Sequence, residues 1–113
     1  MIIVTSESVA NMRTVRTLGL VRGTSVRHRA LGKDVMAFLR GSVGGEVKEY
    51  TKILSETREQ ALDRMVEEAA SLGANAVVSL RFASSEIMQS AAEILVYGTA
   101  VVVEPLASEP SAE

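Results

Sequence analysis

The sequence has 113 residues, a formal net charge of −2 and no cysteine. This length predicts one domain, and the lack of cysteine excludes a disulfide framework and thiolate chemistry. No apolar run approaches the ~20 residues of a spanning helix, and no basic region marks a signal peptide. We therefore expect a cytoplasmic protein that binds no membrane. Hydrophobic residues make up 47% of the chain, which predicts an unusually complete core or apolar surface buried against another chain.

Charge is divided unevenly along the chain. Residues 1–45 hold seven Lys/Arg against two acids, and residues 46–113 hold five against twelve. We interpret this as complementarity between the two halves, within the fold or between subunits. The alternative is a basic face for nucleic acid. With two Tyr, two Phe and no Trp, the chain lacks a stacking platform for single strands, and nucleic-acid binding is not expected.

The first half of the chain predicts two strands and a short helix. Met1–Thr5 is a short apolar strand. Met12–Arg29 is a strand with a bulge or bend, because Gly19 and Gly23 interrupt it. Apolar residues spaced three and four positions apart predict a short helix over Ala30–Arg40. A glycine-rich stretch then ends this helix.

One long amphipathic helix is the clearest element and covers Glu46–Leu72. Its apolar residues recur at three, four and seven positions, as expected for a helix that covers a sheet. Gly73 follows the last periodic residue, where a left-handed residue closes a helix.

Two strands are predicted after the helix. Ala76–Ala83 alternates, with Val78, Leu80 and Phe82 on one side, and Ser84–Ala91 is polar enough for a loop. Ala92–Glu104 is the last strand.

The last strand is apolar on both of its faces. Ile94, Val96, Ala100 and Val102 point one way, and Leu95, Tyr97, Val101 and Val103 point the other. A single helix layer covers one face of a sheet, so we expect the other face to meet another subunit. Gly98 within the strand indicates a bulge or a close backbone contact.

These elements define an α+β fold. We expect a small mixed sheet of about four strands, packed against one long amphipathic helix and one short helix and assembled as a ring-like homo-oligomer. The domain is expected to span residues 1–104, and residues 105–113 form a small, polar, acidic tail that is expected to be disordered.

The only histidine, His28, lies between Arg27 and Arg29. Two neighbouring guanidinium groups repel a cation, and no cysteine, second histidine or nearby acid completes a metal site. These three residues have a structural role or form an anion or ligand site at a subunit interface. Copies of His28 in an oligomer remain a further way to assemble a metal site.

Other candidate motifs favour structural roles. Gly41-Ser42-Val43-Gly44-Gly45 precedes the long helix, but its spacing matches no phosphate-binding fingerprint. The acids of the helix alternate with Lys52, Arg58 and Arg64, including an Arg64–Glu68 pair one turn apart, as on a solvated surface. No serine stands in a nucleophile elbow. We expect no catalytic residues and no cofactor.

Three segments together resemble the YbjQ family of small proteins of unknown function. They are Leu18–Gly23, the stretch from Gly44-Gly45 through Tyr50 and Ala69 to Leu72–Val78, and Tyr97–Val103. The resemblance covers Met1 to Glu104. It implies an α+β fold and a ring-like homo-oligomer, with a pentamer favoured.

Three functional hypotheses follow. The first is a non-enzymatic oligomeric module that binds a small ligand or partner at subunit interfaces. The second is heavy-metal binding, the label that this family often carries, although soft metals prefer thiolate and imidazole ligands. The third is an enzyme whose site is completed across subunits, for example by His28 and a carboxylate of the next subunit.

Overall fold

A computed structural model describes the backbone of residues 1–27, 45–88 and 91–107, and the side chains of residues 1–26, 52–85 and 92–107. It contains β1 (Ile2–Ile3), β2 (Met12–Arg27), α1 (Gly45–Ser71), β3 (Ala76–Met88) and β4 (Ala91–Pro105). The four-stranded mixed sheet and the long helix confirm the α+β prediction. The short helix predicted over Ala30–Arg40 lies outside the described residues, as do the last six residues of the predicted tail.

The four strands form one sheet in the order β1-β3-β4-β2. The central strand β4 is antiparallel to both of its neighbours, and β1 is parallel to β3. Beyond β1, the Leu80 amide donates to the Val4 carbonyl at 3.1 Å, so the N-terminal segment follows β3 only as far as its middle. In the described part of the chain, the distal half of β3 and the whole of β2 are open sheet edges.

The helix ends in the motif that its glycine predicts. Gly73 has φ 87°, the Ala74 amide donates to the Ala69 carbonyl at 3.1 Å, and the Gly73 amide donates to the Ala70 carbonyl at 3.0 Å. These two bonds are those of a Schellman cap. The prediction of a left-handed glycine at this hinge is confirmed.

Asn75 ties the hinge to the central strand. Its Nδ2 donates to the Val103 carbonyl, and the Val103 amide donates to its Oδ1, both at 2.8 Å. The side-chain amide therefore pairs with Val103 as a peptide group of a neighbouring strand would. This places the start of β3 beside the end of β4.

The main core lies between α1 and the sheet. The helix contributes Ala61, Met65 and Ala69, which are fully buried. They pack on one face of β2, β3 and β4, where the buried residues of the cluster are Val21, Val77, Leu80, Ile94, Val96 and Ala100. Burial of this apolar stripe is the main force that holds the helix to the sheet.

A second, smaller cluster lies on the opposite face of the sheet. It is built from Ala76, Val78, Val101 and Val103, and the partly buried Val4, Val9 and Met12 pack against it. The segment after β1 thus covers one end of this face. The assignment of β4 side chains to two faces, made from alternation, is confirmed for the clustered residues.

A bulge in β3 corrects the predicted alternation of that strand. The pairing with β4 shifts between Val78 and Arg81, and Ser79 has φ 54°. Val77 and Leu80 consequently pack in the helix-side cluster, whereas Val78 packs on the opposite face. The prediction that Val78 and Leu80 share a side was wrong, because one bulged residue reverses every later side chain.

The predicted loop over Ser84–Ala91 is also corrected. β3 continues to Met88 and β4 begins at Ala91, with Ser84 opposite Ile94. Pairing with the long strand β4 keeps these polar residues in the sheet, although their composition suggested a loop. The result is a long hairpin, since 15 residues of strand span about 50 Å.

Gly19 in β2 and Gly98 in β4 lie at predicted irregularities, whereas Gly23 pairs with Val96 in regular register. The pairing of β2 with β4 shifts between Thr17 and Gly19, and Gly19 has φ 118°. A Cβ atom at Gly98 would lie 2.7 Å from Val77 Cγ1 and 3.0 Å from the Val78 carbonyl oxygen. The predicted irregularity of β2 is confirmed at Gly19 as a register shift, and the close approach at Gly98 is confirmed.

Candidate functional site

The residues that the sequence singled out lie at the end of β2. Arg27 is the last residue of this strand and pairs with Ala92. Its side chain, and the whole of His28 and Arg29, lie outside the described residues. Their role as an interface site therefore stays a prediction.

The described site candidate is the face of the sheet opposite α1, which we call the outer face. Strand register aligns its side chains in cross-strand rows, because residues directly opposite each other share a face. From the middle of the sheet outwards, the rows are Leu20–Thr99–Val78, Arg22–Tyr97–Arg81, Thr24–Leu95–Ala83 and Val26–Glu93–Ser85.

Much of the outer face is exposed apolar surface. The exposed fraction is 62% for Leu20, 37% for Tyr97 and 36% for Val26, and Leu95 is half-buried. The segment after β1 packs against the cluster of Ala76, Val78, Val101 and Val103 and leaves Leu20, Tyr97 and Val26 exposed. This arrangement leaves three large apolar side chains in solvent on one face of a single subunit.

One row of the outer face carries two positive charges. Arg22 and Arg81 are both exposed and flank Tyr97 from the two neighbouring strands. Nη1 of Arg81 donates to the Thr5 carbonyl at 2.9 Å and to the Leu80 carbonyl at 2.7 Å. Among the described side chains, Arg22 has neither a hydrogen bond nor an ion pair.

Sequence reasoning did not find this row. Arg22, Arg81 and Tyr97 lie in different segments of the chain, and only the register of three strands brings them together. The sequence predicted strands that contain Arg22 and Tyr97, but the bulge in β3 determines the face on which Arg81 lies.

The acidic residues of α1 point to solvent. The exposed acids of the described part of the helix are Glu56, Glu59, Asp63, Glu67 and Glu68. The predicted Arg64–Glu68 ion pair is not formed, because Arg64 Nη1 donates to the Thr24 carbonyl at 2.6 Å. Where side chains are described, the one ion pair is Arg13–Glu104, at 3.5 Å. The opposite charges of the two halves therefore remain largely unpaired within this part of the subunit.

Two buried hydroxyl groups lie between α1 and β2, and both have partners. Ser25 and Thr57 are each 1% exposed. The Ser25 hydroxyl donates to Gln60 Oε1 at 2.5 Å, and the Thr57 hydroxyl donates to the Ile53 carbonyl at 2.7 Å. Both bonds satisfy buried polar groups, and the Ser25–Gln60 bond joins the strand to the helix.

No three His, Cys, Asp or Glu side chains come together as metal ligands in residues 1–26, 52–85 and 92–107. Over the same part of the chain, no helix has both the length and the apolar character needed to cross a bilayer. The described part of the chain contains one positively charged row, Arg22–Tyr97–Arg81, within an apolar face of the sheet. Such an arrangement can hold an anion or the surface of another chain.

The fold and this face define a small α+β domain in which one helix covers one side of a four-stranded sheet. A solved structure has this fold: a protein of unknown function from Pediococcus pentosaceus, assigned to the DUF74 family. It aligns with a TM-score of 0.61 over 92% of this chain and 98% of that chain, at 15% identity. At this identity the likeness shows the fold alone.

Sequence comparisons identify the family. A family model described as "Putative heavy-metal-binding" matches residues 1–104, and the chain belongs to this family, YbjQ. A UPF0145 protein of Dehalococcoides mccartyi is 49% identical over 92% of this chain and 100% of its own length. A UPF0145 protein of Thermus thermophilus is 55% identical over 89% of each chain. The resemblance inferred from the three sequence segments is confirmed.

Proposed function

We propose that this protein is a non-enzymatic module that assembles from identical subunits and binds a small ligand where the subunits meet. The observation that carries the proposal is the uncovered outer face, where Leu20 on the edge strand β2 is 62% exposed. Exposed apolar surface of this kind marks an interaction site. The exposed, unpaired charges of the subunit favour a second copy of the chain as the molecule that covers the outer face.

Charge and open strand edges support a second copy as the partner. β2 carries exposed Arg13, Arg16 and Arg22, and the described part of α1 carries five exposed acids, yet the described side chains form only the Arg13–Glu104 pair. Contacts between copies would pair these surfaces. Assembly would also cover the edge of β2, which would otherwise invite uncontrolled strand pairing.

Native mass spectrometry of freshly purified protein tests this proposal. We expect a homo-oligomer, with five subunits as the number that the family resemblance favours, and a retained small molecule in the spectrum. The cysteine-free sequence suits a reducing compartment, and we place the protein in the cytoplasm. A mass of one subunit at micromolar concentration would contradict the proposal.

Heavy-metal binding is the second candidate function, and the description of the family model favours it. Since residues 1–26, 52–85 and 92–107 hold no ligand cluster, a site would need His28 or donors from two subunits. Titration with zinc, copper, cadmium and nickel, for the wild type and His28→Ala, tests this candidate. Affinities weaker than about millimolar, or ~4 kcal/mol, would exclude it.

An enzyme with a site completed across subunits is the third candidate. It would need His28 of one subunit near a carboxylate of the next. The same His28→Ala variant tests it, because loss of the only imidazole would remove the general base.

A further inference from the structure

We propose that the part of β3 around Phe82 is a second contact surface of this protein and receives the outer face of another copy of the chain. The inference rests on the proposed function, because it names the surface of the neighbouring copy that the outer face meets. It gives Phe82 and one side of α1 a role that differs from that of the outer face.

Phe82 lies on the helix side of the sheet, but α1 does not cover it. Phe82 pairs with Val96, which is buried in the main core, so the two side chains share this face. The helix packs mainly on β2 and β4 and barely reaches β3. Phe82 is therefore 49% exposed, whereas Leu80, the previous residue of β3 on this face, is buried.

The N-terminal segment also ends its contact with β3 before Phe82. The Leu80 amide donates to the Val4 carbonyl at 3.1 Å, and Nη1 of Arg81 donates to the Thr5 carbonyl at 2.9 Å. In the described part of the chain, no residue of β3 after Arg81 bonds to this segment. Within that part of the subunit, the Phe82 ring is thus uncovered both by the helix and by the N-terminal segment.

Leu62 and Val66 extend the apolar surface from Phe82 onto the helix. Gln60 and Arg64 bond to β2, so they mark the side of α1 above that strand. Residues two apart on a helix are separated by about 200°, which places Leu62 and Val66 on the other side of α1, half-buried at the margin of the main core. Because β3 and β2 flank β4 from opposite sides, this side of the helix faces β3. We call Phe82, Leu62 and Val66 the β3-side surface.

A closed ring needs two different contact surfaces on each subunit, because its contacts are heterologous. The outer face supplies one of them. Where side chains are described, Phe82 is the only exposed aromatic residue outside the outer face, and aromatic residues are enriched in subunit contacts. A ring in which the outer face of each copy packs on the β3-side surface of the next would bury both apolar surfaces.

Charge supports this match. Arg22 is exposed on the outer face and has no ion pair among the described side chains. Exposed Glu59 and Asp63 border the β3-side surface, within one helical turn of its two helix residues. The contact would bring opposite charges together, whereas two outer faces packed on each other would oppose Arg22 with a second Arg22.

Sedimentation velocity of the full chain tests the inference. Phe82→Lys should raise the dissociation constant of the assembly at least about tenfold, because an ammonium group would be buried in the contact. Leu72→Lys is the matched control, since Leu72 is exposed to a similar extent at the end of α1, and it should keep the wild-type subunit number. Circular dichroism verifies that each variant is folded, and Phe82→Thr removes the ring without adding a charge and should also weaken the assembly.

Mixing two variants tests whether the two surfaces meet each other. Leu20→Lys keeps the β3-side surface intact, and Phe82→Lys keeps the outer face intact. Each variant should be monomeric alone at micromolar concentration, and an equimolar mixture should form a pair with one copy of each. Native mass spectrometry identifies this pair by its two different subunit masses. Only contact between unlike surfaces produces it.

Two results would overturn the inference and leave the proposed assembly intact. One is a Phe82→Lys variant that keeps the wild-type subunit number, as it would if another segment of the same subunit covered Phe82. The other is a pair of monomeric variants that do not associate when they are mixed. A wild-type protein that is itself monomeric would instead contradict the proposed function, and the inference with it.

Discussion

Gly23 on β2 lies directly against Ala61 of α1, so closely that a Cβ atom at position 23 would collide with the Ala61 carbonyl oxygen. The same atom would lie 2.5 Å from the Met65 backbone nitrogen. The helix backbone therefore rests on the strand backbone at this point. This contact sets the depth at which α1 packs on the sheet.

Gly23→Ala should consequently destabilise the protein by about 3 kcal/mol, at the upper end of overpacking costs, because backbone atoms on both sides must move. Chemical denaturation measures the free energy of unfolding. Gly73→Ala is the contrasting variant, since φ is 87° and nothing lies within 4 Å of an added Cβ. It should cost about 1 kcal/mol, and Gly73→Asn should cost less. Equal costs at positions 23 and 73 would contradict the close packing.

Asn75→Ala should lower the free energy of unfolding by about 1–2 kcal/mol, because both hydrogen bonds to Val103 are lost. Asn75→Asp keeps the acceptor for the Val103 amide but places a carboxylate against the Val103 carbonyl, so it should not restore the stability. Thermal and denaturant unfolding would both show the loss. An unchanged stability for Asn75→Ala would mean that these bonds contribute nothing net.

Ser79→Gly should stabilise the protein by about 0.5–1 kcal/mol, because φ at this bulge is 54°, a conformation costly for a residue with a Cβ atom. Ser79→Val should be strongly destabilising, since a β-branched residue is the least tolerant of positive φ. Ser84→Gly, on the regular part of β3, is the control and should be destabilising. If Ser79→Gly and Ser84→Gly both stabilise the protein, the bulge at Ser79 is not the cause of the stabilisation.

Leu20→Lys should shift the protein towards monomers without unfolding it, because the charge would be buried if a second copy covers the outer face. Leu72→Lys is the matched control: Leu72 is 47% exposed at the end of α1 and lies away from the outer face. Sedimentation velocity reports the subunit number, and circular dichroism reports the fold. If Leu20→Lys keeps the wild-type mass, the outer face does not hold the subunits together.

The long helix and the strands β2 and β4 were predictable because their patterns follow local rules. Apolar periodicity and Gly73 placed the end of α1 within one residue, and alternation placed the β4 side chains on the correct faces. The Ser79 bulge was not predictable, because its cause is the pairing of β3 with two neighbours. The polar residues of β3 after Phe82 are likewise held in a strand by pairing with β4.

The candidate site was less predictable than the fold. Sequence proximity drew attention to Arg27–His28–Arg29, whereas the row of Arg22, Tyr97 and Arg81 depends on long-range register. Similarly, Arg64 was expected to pair with Glu68 on its own helix, but it reaches the Thr24 carbonyl across the packing interface. A side chain can bond either to a neighbour along the chain or to a residue brought close by the fold. The sequence pattern shows the first kind of partner more clearly than the second.

We expect a second copy of the chain to cover the outer face of the sheet. Multi-angle light scattering after size-exclusion chromatography tests it most directly, with wild-type protein at micromolar concentration. We predict one species that contains two or more subunits of 12.1 kDa each, five subunits being the expected number. A single species of 12.1 kDa would contradict the claim.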